Sequence, residues 1–128
     1  MELPEVSIVI PLRDEAPNVV LLHEQVTAAL AALDVPYELI LVDDGSEDDT
    51  FNLLRGLCSQ DSRVRVIQFT RNFGQTAAFA AGFAHARGGL IVTCDGDLQN
   101  DPSDIPRLLL SARDHDIVCG WRKDRKDA

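Results

Sequence analysis

Basic residues are in short supply: 12 Lys and Arg stand against 21 Asp and Glu, a formal charge of -9 over 128 residues. A surface of that sign repels polyanions, which excludes general binding to nucleic acid or to an anionic bilayer and leaves metal cations as favoured partners. Cysteine is equally scarce. Cys58, Cys94 and Cys119 are an odd set without a CxxC pair or a His at zinc-ligand spacing, so a disulfide framework and a structural zinc site are excluded. They are expected to be reduced and mostly buried thiols of a cytoplasmic protein. No apolar run approaches the length of a membrane span, and the opening MELPEVSIVIP lacks the basic start and long apolar stretch of a signal peptide. What remains, at 45% hydrophobic content, is the composition of one soluble, compact domain over residues 1–128.

Short apolar runs alternate with segments of helical period. Val6 to Ile10 reads as a strand ended by Pro11, and Leu22, Val26, Ala29, Leu30 and Leu33 make one apolar helical face that Asp34 and Pro36 close. A second strand covers Glu38 to Val42. Ser46 and Asp49 stand at capping-box spacing before a helix through Phe51, Leu54 and Leu57. Val64 to Phe69 is a third strand, and the small residues Ala77, Ala78, Ala80, Ala81 and Ala84 suit a helix lying close to a sheet. Leu90 to Cys94, a helix near Leu108 to Leu110 capped by Ser103, and Ile117 to Cys119 complete the alternation. Such an order predicts an α/β sandwich, with parallel strands, right-handed crossovers and helices on both faces.

Ligands of open parallel sheets bind at the carboxyl ends of the strands, and four of these ends are polar: Arg13-Asp14-Glu15, Asp43-Asp44-Gly45-Ser46, Thr70-Arg71-Asn72, and Asp95-Gly96-Asp97-Leu98-Gln99. Asp95 and Asp97, two apart, project to one side of an extended segment, an arrangement that suits Mg2+ or Mn2+ with Gln99 as an added neutral oxygen. A solvated Asp-Gly turn is the plain alternative. Asp43 and Asp44 either form a turn into Ser46 or leave one carboxylate free to accept the N–H of a base. Arg71 is either a surface charge or a cation for a diphosphate or for the acidic edge. His23, His85 and His115 are read as structural.

Four motifs, VSIVIPLRDEAPNV, LILVDDGSEDDT, RNFGQTAAFAAGF and CDGDLQNDPSDIP, together resemble the family 2 glycosyltransferases of the GT-A fold, in particular those similar to dolichol-phosphate mannosyltransferase and bacterial polyprenyl-phosphate glycosyltransferases. They run from Val6 to Pro106 in the family's order. The resemblance implies a Rossmann-like, nucleotide-sugar-binding α/β/α sandwich with a mostly parallel sheet. It implies that Pro11, Arg13 and Glu15 lie against the nucleotide and Asp43 and Asp44 near its base. Asp95 would face the ribose or the metal, Asp97 and Gln99 would coordinate a cation bridging the donor diphosphate, and Arg71 would help hold the acidic edge. Arg122 or Lys123 would meet phosphate. The sequence departs from the family at Arg13, where an aromatic is usual, and at Asp14, where Asn is usual.

The activity so implied is inverting, metal-dependent transfer of a sugar from a UDP- or GDP-linked donor to a polyprenyl phosphate. A phosphate monoester, with a second pKa of about 6, is largely ionised at neutral pH and needs little help from a protein base. The chain would be the N-terminal, donor-binding part of such an enzyme, lacking the acceptor part and any membrane helices, at the cytoplasmic face of the membrane in the full protein. It would transfer poorly by itself, and an exposed sheet edge would permit a homo-oligomer. Competing readings are a catalytically silent nucleotide-binding module and an aspartate-based phosphohydrolase; a nicotinamide site lacks its Gly-rich loop.

Overall fold

The structure is a computed structural model that describes residues 3–31, 35–94 and 117–119. Its sheet has five parallel strands in the order β3-β2-β1-β4-β5, formed by β1 (Val6–Leu12), β2 (Tyr37–Asp43), β3 (Val64–Gln68), β4 (Leu90–Thr93) and β5 (Ile117–Cys119). Helices α1 (Val19–Ala31), α2 (Thr50–Gln60) and α3 (Gln75–His85) connect the first four strands. The expected helix near Leu108 to Leu110 and the Ser103 cap lie outside the described residues, as do Leu33 and His115.

β1 is buried along its whole length because it has a layer on either side. Ile8, Ile10 and Leu12 face Leu22, Val26, Leu54 and Leu57 of α1 and α2, whereas Val9 joins Ile40, Val42 and Ala78 on the face covered by α3. Each fully buried aliphatic side chain of this kind contributes about 1.5–3 kcal/mol. The small-residue face of α3 serves the close approach expected of it, although the decisive residue is Gly82. A Cβ there would stand 2.2 Å from Val9 Cγ1.

Three local expectations change. β1 continues through Pro11 to Leu12, since Ile10 and Leu12 use the β2 side while Val9 and Pro11 face β4. On the β4 side the ladder ends with Val9 opposite Thr93, so the missing Pro N–H interrupts no ladder bond among the described residues. Ser46 does not cap α2: the helix starts at Thr50, whose N–H donates to Asp48 Oδ1 at 2.9 Å, and Ser46 Oγ accepts from Asp14 N instead. Cys58 is exposed, its thiol directed to the Val64 carbonyl at 3.3 Å, while Cys94 is buried as expected. His23 ties α1 to the end of α2 through Asp61, 3.0 Å away, a structural role.

The amino end of the sheet holds a closed ionic cluster. Glu38 is 1% exposed, and it receives Ser7 Oγ at 2.6 Å, Arg87 N at 2.7 Å, Arg65 Nη1 at 2.8 Å and Arg87 Nε at 3.1 Å. Burial pushes its carboxyl upward, but the bonds from Ser7, the Arg87 amide and the two guanidinium groups outweigh burial and lower it from 4.5 to about 2. Arg65 also donates to the His85 carbonyl at 2.7 Å, closing the last turn of α3. Among the described residues, no helix is long and apolar enough to cross a membrane.

Candidate nucleotide site at the carboxyl edge

All five strands point the same way, so their carboxyl ends share one edge. Strand order reverses between β1 and β4, because β2 and β3 lie to one side of β1 and β4 and β5 to the other; that switch point is where an open sheet forms its crevice. Cys94 N donates to Val9 O at 3.1 Å, which holds the end of β4 against β1. From there the chain runs directly into Asp95.

Asp44, 5% exposed, organises the β3–α3 loop. Its carboxylate accepts Asn72 Nδ2 at 2.7 Å, Phe73 N at 2.8 Å and Gly74 N at 3.1 Å. Successive backbone amides converging on a carboxylate satisfy it without a countercharge. The same loop presses on Gly45, where φ is +72° and a Cβ would meet the Arg71 carbonyl carbon at 2.3 Å. Glycine is required there by both conformation and space. Asp43 is also buried, and its Oδ1 accepts Ser46 N at 3.1 Å. Both aspartates therefore have structural partners, but Asp43 Oδ2 has no hydrogen-bond partner among the described residues.

The loop after β1 is fastened to the loop after β2. Asp14 sits at φ +53°, a left-handed conformation that Asp and Asn tolerate better than other side chains. Its N–H donates to Ser46 Oγ at 2.9 Å, and its Oδ1 accepts Glu47 N at 2.7 Å and Asp48 N at 3.3 Å. An Asn side-chain oxygen would meet the same amides, so the departure at this position preserves the geometry. Glu15 N donates to Thr50 Oγ1 at 2.9 Å and Ala16 N to Asp48 Oδ2 at 3.2 Å. The Thr50 hydroxyl, with the Thr50 and Ala16 amides, holds the Asp48 carboxyl below the usual range against the upward effect of burial.

Pro11, Arg13, Glu15, Asp43, Asp44 and Arg71 thus gather at one edge. Pro11 is buried in β1, Arg13 is exposed, and Glu15 accepts Asn18 Nδ2 at 2.8 Å. Arg71 is exposed with its guanidinium carbon 4.5 Å from the centre of the Phe73 ring; the acidic edge is held by Asn72 and the 73–74 amides. Asp95, Asp97, Gln99, Arg122 and Lys123 lie outside the described residues. No group of three or more His, Cys, Asp or Glu converges as a metal cluster among the described residues. The linking roles of Asp14, Ser46, Thr50 and Asn72 were not read from the motifs, although an Asp beside a strand end, at a position fit for left-handed φ, signals the first of them.

The model of Glycosyl transferase family 2 matches residues 7–128. The chain belongs to this family. It is 48% identical over 126 residues to a dodecaprenyl-phosphate galacturonate synthase of Rhizobium johnstonii, covering 96% of this chain and 37% of that protein. It is 42% identical over 130 residues to an undecaprenyl-phosphate 4-deoxy-4-formamido-L-arabinose transferase of Sodalis glossinidius, covering 100% of this chain and 40% of that one. This family 2 chain therefore spans about two-fifths of the length of these relatives. Among solved structures, S. aureus TarS 1-349 in complex with UDP-GlcNAc has a TM-score of 0.67 at 20% identity, covering 87% of this chain and 32% of that one. The mannosyltransferase PcManGT of Pyrobaculum calidifontis, in complex with GDP-Man and Mn2+, has a TM-score of 0.63 at 24% identity, covering 81% and 30%. Both share its GT-A α/β fold.

Proposed function

We propose that the chain is the donor-binding part, residues 1–128, of an enzyme that transfers a sugar from a nucleoside diphosphate sugar to a polyprenyl phosphate. The observation that carries this reading is the 48% identity to a dodecaprenyl-phosphate galacturonate synthase across 96% of the chain. The geometry supports it: loops from β1, β2 and β3 are fixed side by side at the edge where a parallel sheet takes its ligand. Asp43 offers an acceptor oxygen for a base N–H or a ribose hydroxyl, and Asp44 holds the loop that flanks it.

Asp95, Asp97 and Gln99 would hold Mg2+ or Mn2+. Their donor set is oxygen only, as a hard divalent cation requires, and they begin at Cys94, which the Val9 carbonyl anchors at the switch point. When bound, the cation would offset the negative charge that grows on the departing diphosphate. An ionised phosphate acceptor attacking the anomeric carbon from the opposite side would give inversion without a strong protein base. Arg13 and Arg122 are the cations available for meeting phosphate. Because the chain covers about two-fifths of its relatives, it binds donor and transfers weakly or not at all in this reading.

Calorimetric titration of UDP, GDP and their sugar conjugates, with and without Mn2+, tests it alongside Asp97→Ala. Metal-dependent binding of one nucleotide that the variant loses is the expected result. A folded chain that binds none of them would sink the reading.

A further inference from the structure

Phe73 is 51% exposed at the carboxyl edge, yet nothing about it is loose. Its N–H is fixed to Asp44 Oδ1 at 2.8 Å, and its ring meets Phe69 edge-on, centroids 5.6 Å apart at 89°. Phe69 in turn packs on the buried cluster under α3. Over the Phe73 ring lies the Arg71 guanidinium, 4.5 Å from its centroid. An acidic edge is a setting in which an arginine would be expected to pair with a carboxylate, but among the described residues Arg71 forms no ion pair. Leaving half of a phenyl ring in water forgoes much of the stabilisation that its burial would bring. A rigid, exposed stack of a phenyl ring and a planar cation is instead a surface on which another flat π-system can lie, as bases do on aromatic rings and on guanidinium planes.

Its position along the edge suits one kind of ligand. The β3 end stands two strands from β1, about 10 Å at the usual strand spacing. A base resting there would place its ribose over Asp43 at the end of β2, and its diphosphate would reach toward the β1–β4 switch point. We infer that Arg71 and Phe73 form the stacking platform for the base of the donor nucleotide; the inference rests on the donor-site reading. Stacking of this kind is tolerant of base identity, so base choice falls to hydrogen-bonding groups beside the platform, while Asp43 meets the ribose.

The test compares two ligands by calorimetry: the nucleoside diphosphate that the unmodified chain binds, and ribose 5-diphosphate, which lacks the base. Phe73→Leu keeps an apolar side chain on Phe69 and removes the ring. It should weaken nucleotide binding about 5- to 100-fold while leaving ribose 5-diphosphate affinity unchanged. Arg71→Lys, which keeps the charge and loses the plane, should follow the same pattern, and Phe73→Trp should bind nucleotide as the unmodified chain does. Thermal melting establishes that each variant is folded. Equal weakening of both ligands, or no weakening of either, overturns the platform while donor binding stands. An unmodified chain that binds neither ligand overturns the donor-site reading and the platform together.

Discussion

Strand β2 carries buried carboxylates at both ends, and the two ends treat them differently. Glu38, at the amino end, is enclosed by two guanidinium groups, a hydroxyl and an amide. Asp43 and Asp44, at the carboxyl end, are held by neutral donors alone: backbone amides and the Asn72 side chain. The first arrangement sets two cations against one carboxylate and leaves neither of its oxygens free to bind. Among the described residues the second has no cation beside it and, at Asp43, leaves a carboxylate oxygen without a partner. Burial of an acid is therefore no guide to function by itself; what its partners leave uncompensated is the guide.

The largest effect that would test this contrast is at Glu38. Glu38→Ala leaves the Ser7 hydroxyl and the Arg87 amide without their acceptor and should reduce unfolding free energy by about 2–4 kcal/mol, read by urea denaturation, while nucleotide affinity of the folded fraction is unchanged. The acid dependence follows from a folded pKa lowered from 4.5 to about 2. Above pH 4.5 the contribution of Glu38 is fully present, and it is lost as pH falls toward 2, an amount on the order of 3 kcal/mol. Subtracting the pH–stability curve of Glu38→Gln should isolate that limb; coincident curves would dissolve the distinction between the two ends.

Asp44→Asn comes next. Its amide would point donors at the Gly74 N–H and the Asn72 amide, with an expected loss of about 1–3 kcal/mol in thermal unfolding and faster hydrogen exchange at residues 72–74. Asp43→Asn sharpens the contrast from the other side. Its oxygen still accepts Ser46 N, so stability should move by less than about 1 kcal/mol, whereas nucleotide affinity should fall about 10-fold in calorimetry. A stability loss there as large as that of Asp44→Asn would make both aspartates structural. The smallest effect belongs to Asp14→Asn, expected within about 0.5 kcal/mol of the parent because one oxygen accepts both amides; a larger loss would show that the charge at Asp14 matters.

The architecture was legible because alternation of Val6–Ile10, Glu38–Val42, Val64–Phe69 and Leu90–Cys94 with helical segments permits few arrangements, and parallel strands bring all their carboxyl ends together. The motifs likewise marked the residues that gather there. Partnership was not legible. Nothing local distinguishes Asp43 from Asp44, since the difference depends on the RNFG loop arriving 28 to 30 residues later. Ser46 had the spacing of a helix cap, but Asp14, 32 residues earlier, claims its hydroxyl. Glu38 read only as the start of a strand, because Arg65 and Arg87 are brought to it by the sheet and by α3. Pro11 read as a strand end because sequence does not reveal which side of β1 its missing N–H would face.

The side-chain bonds that fasten the three edge loops join residues 28 to 35 apart. No short stretch of chain contains both halves of any of these clasps, so each should close only once the strands that carry it have aligned, which predicts that the edge forms after the folding transition state. Groups that form after the folding transition state influence the rate of unfolding rather than the rate of folding. A nucleotide held at this edge should therefore lengthen the lifetime of the native chain without hastening its arrival.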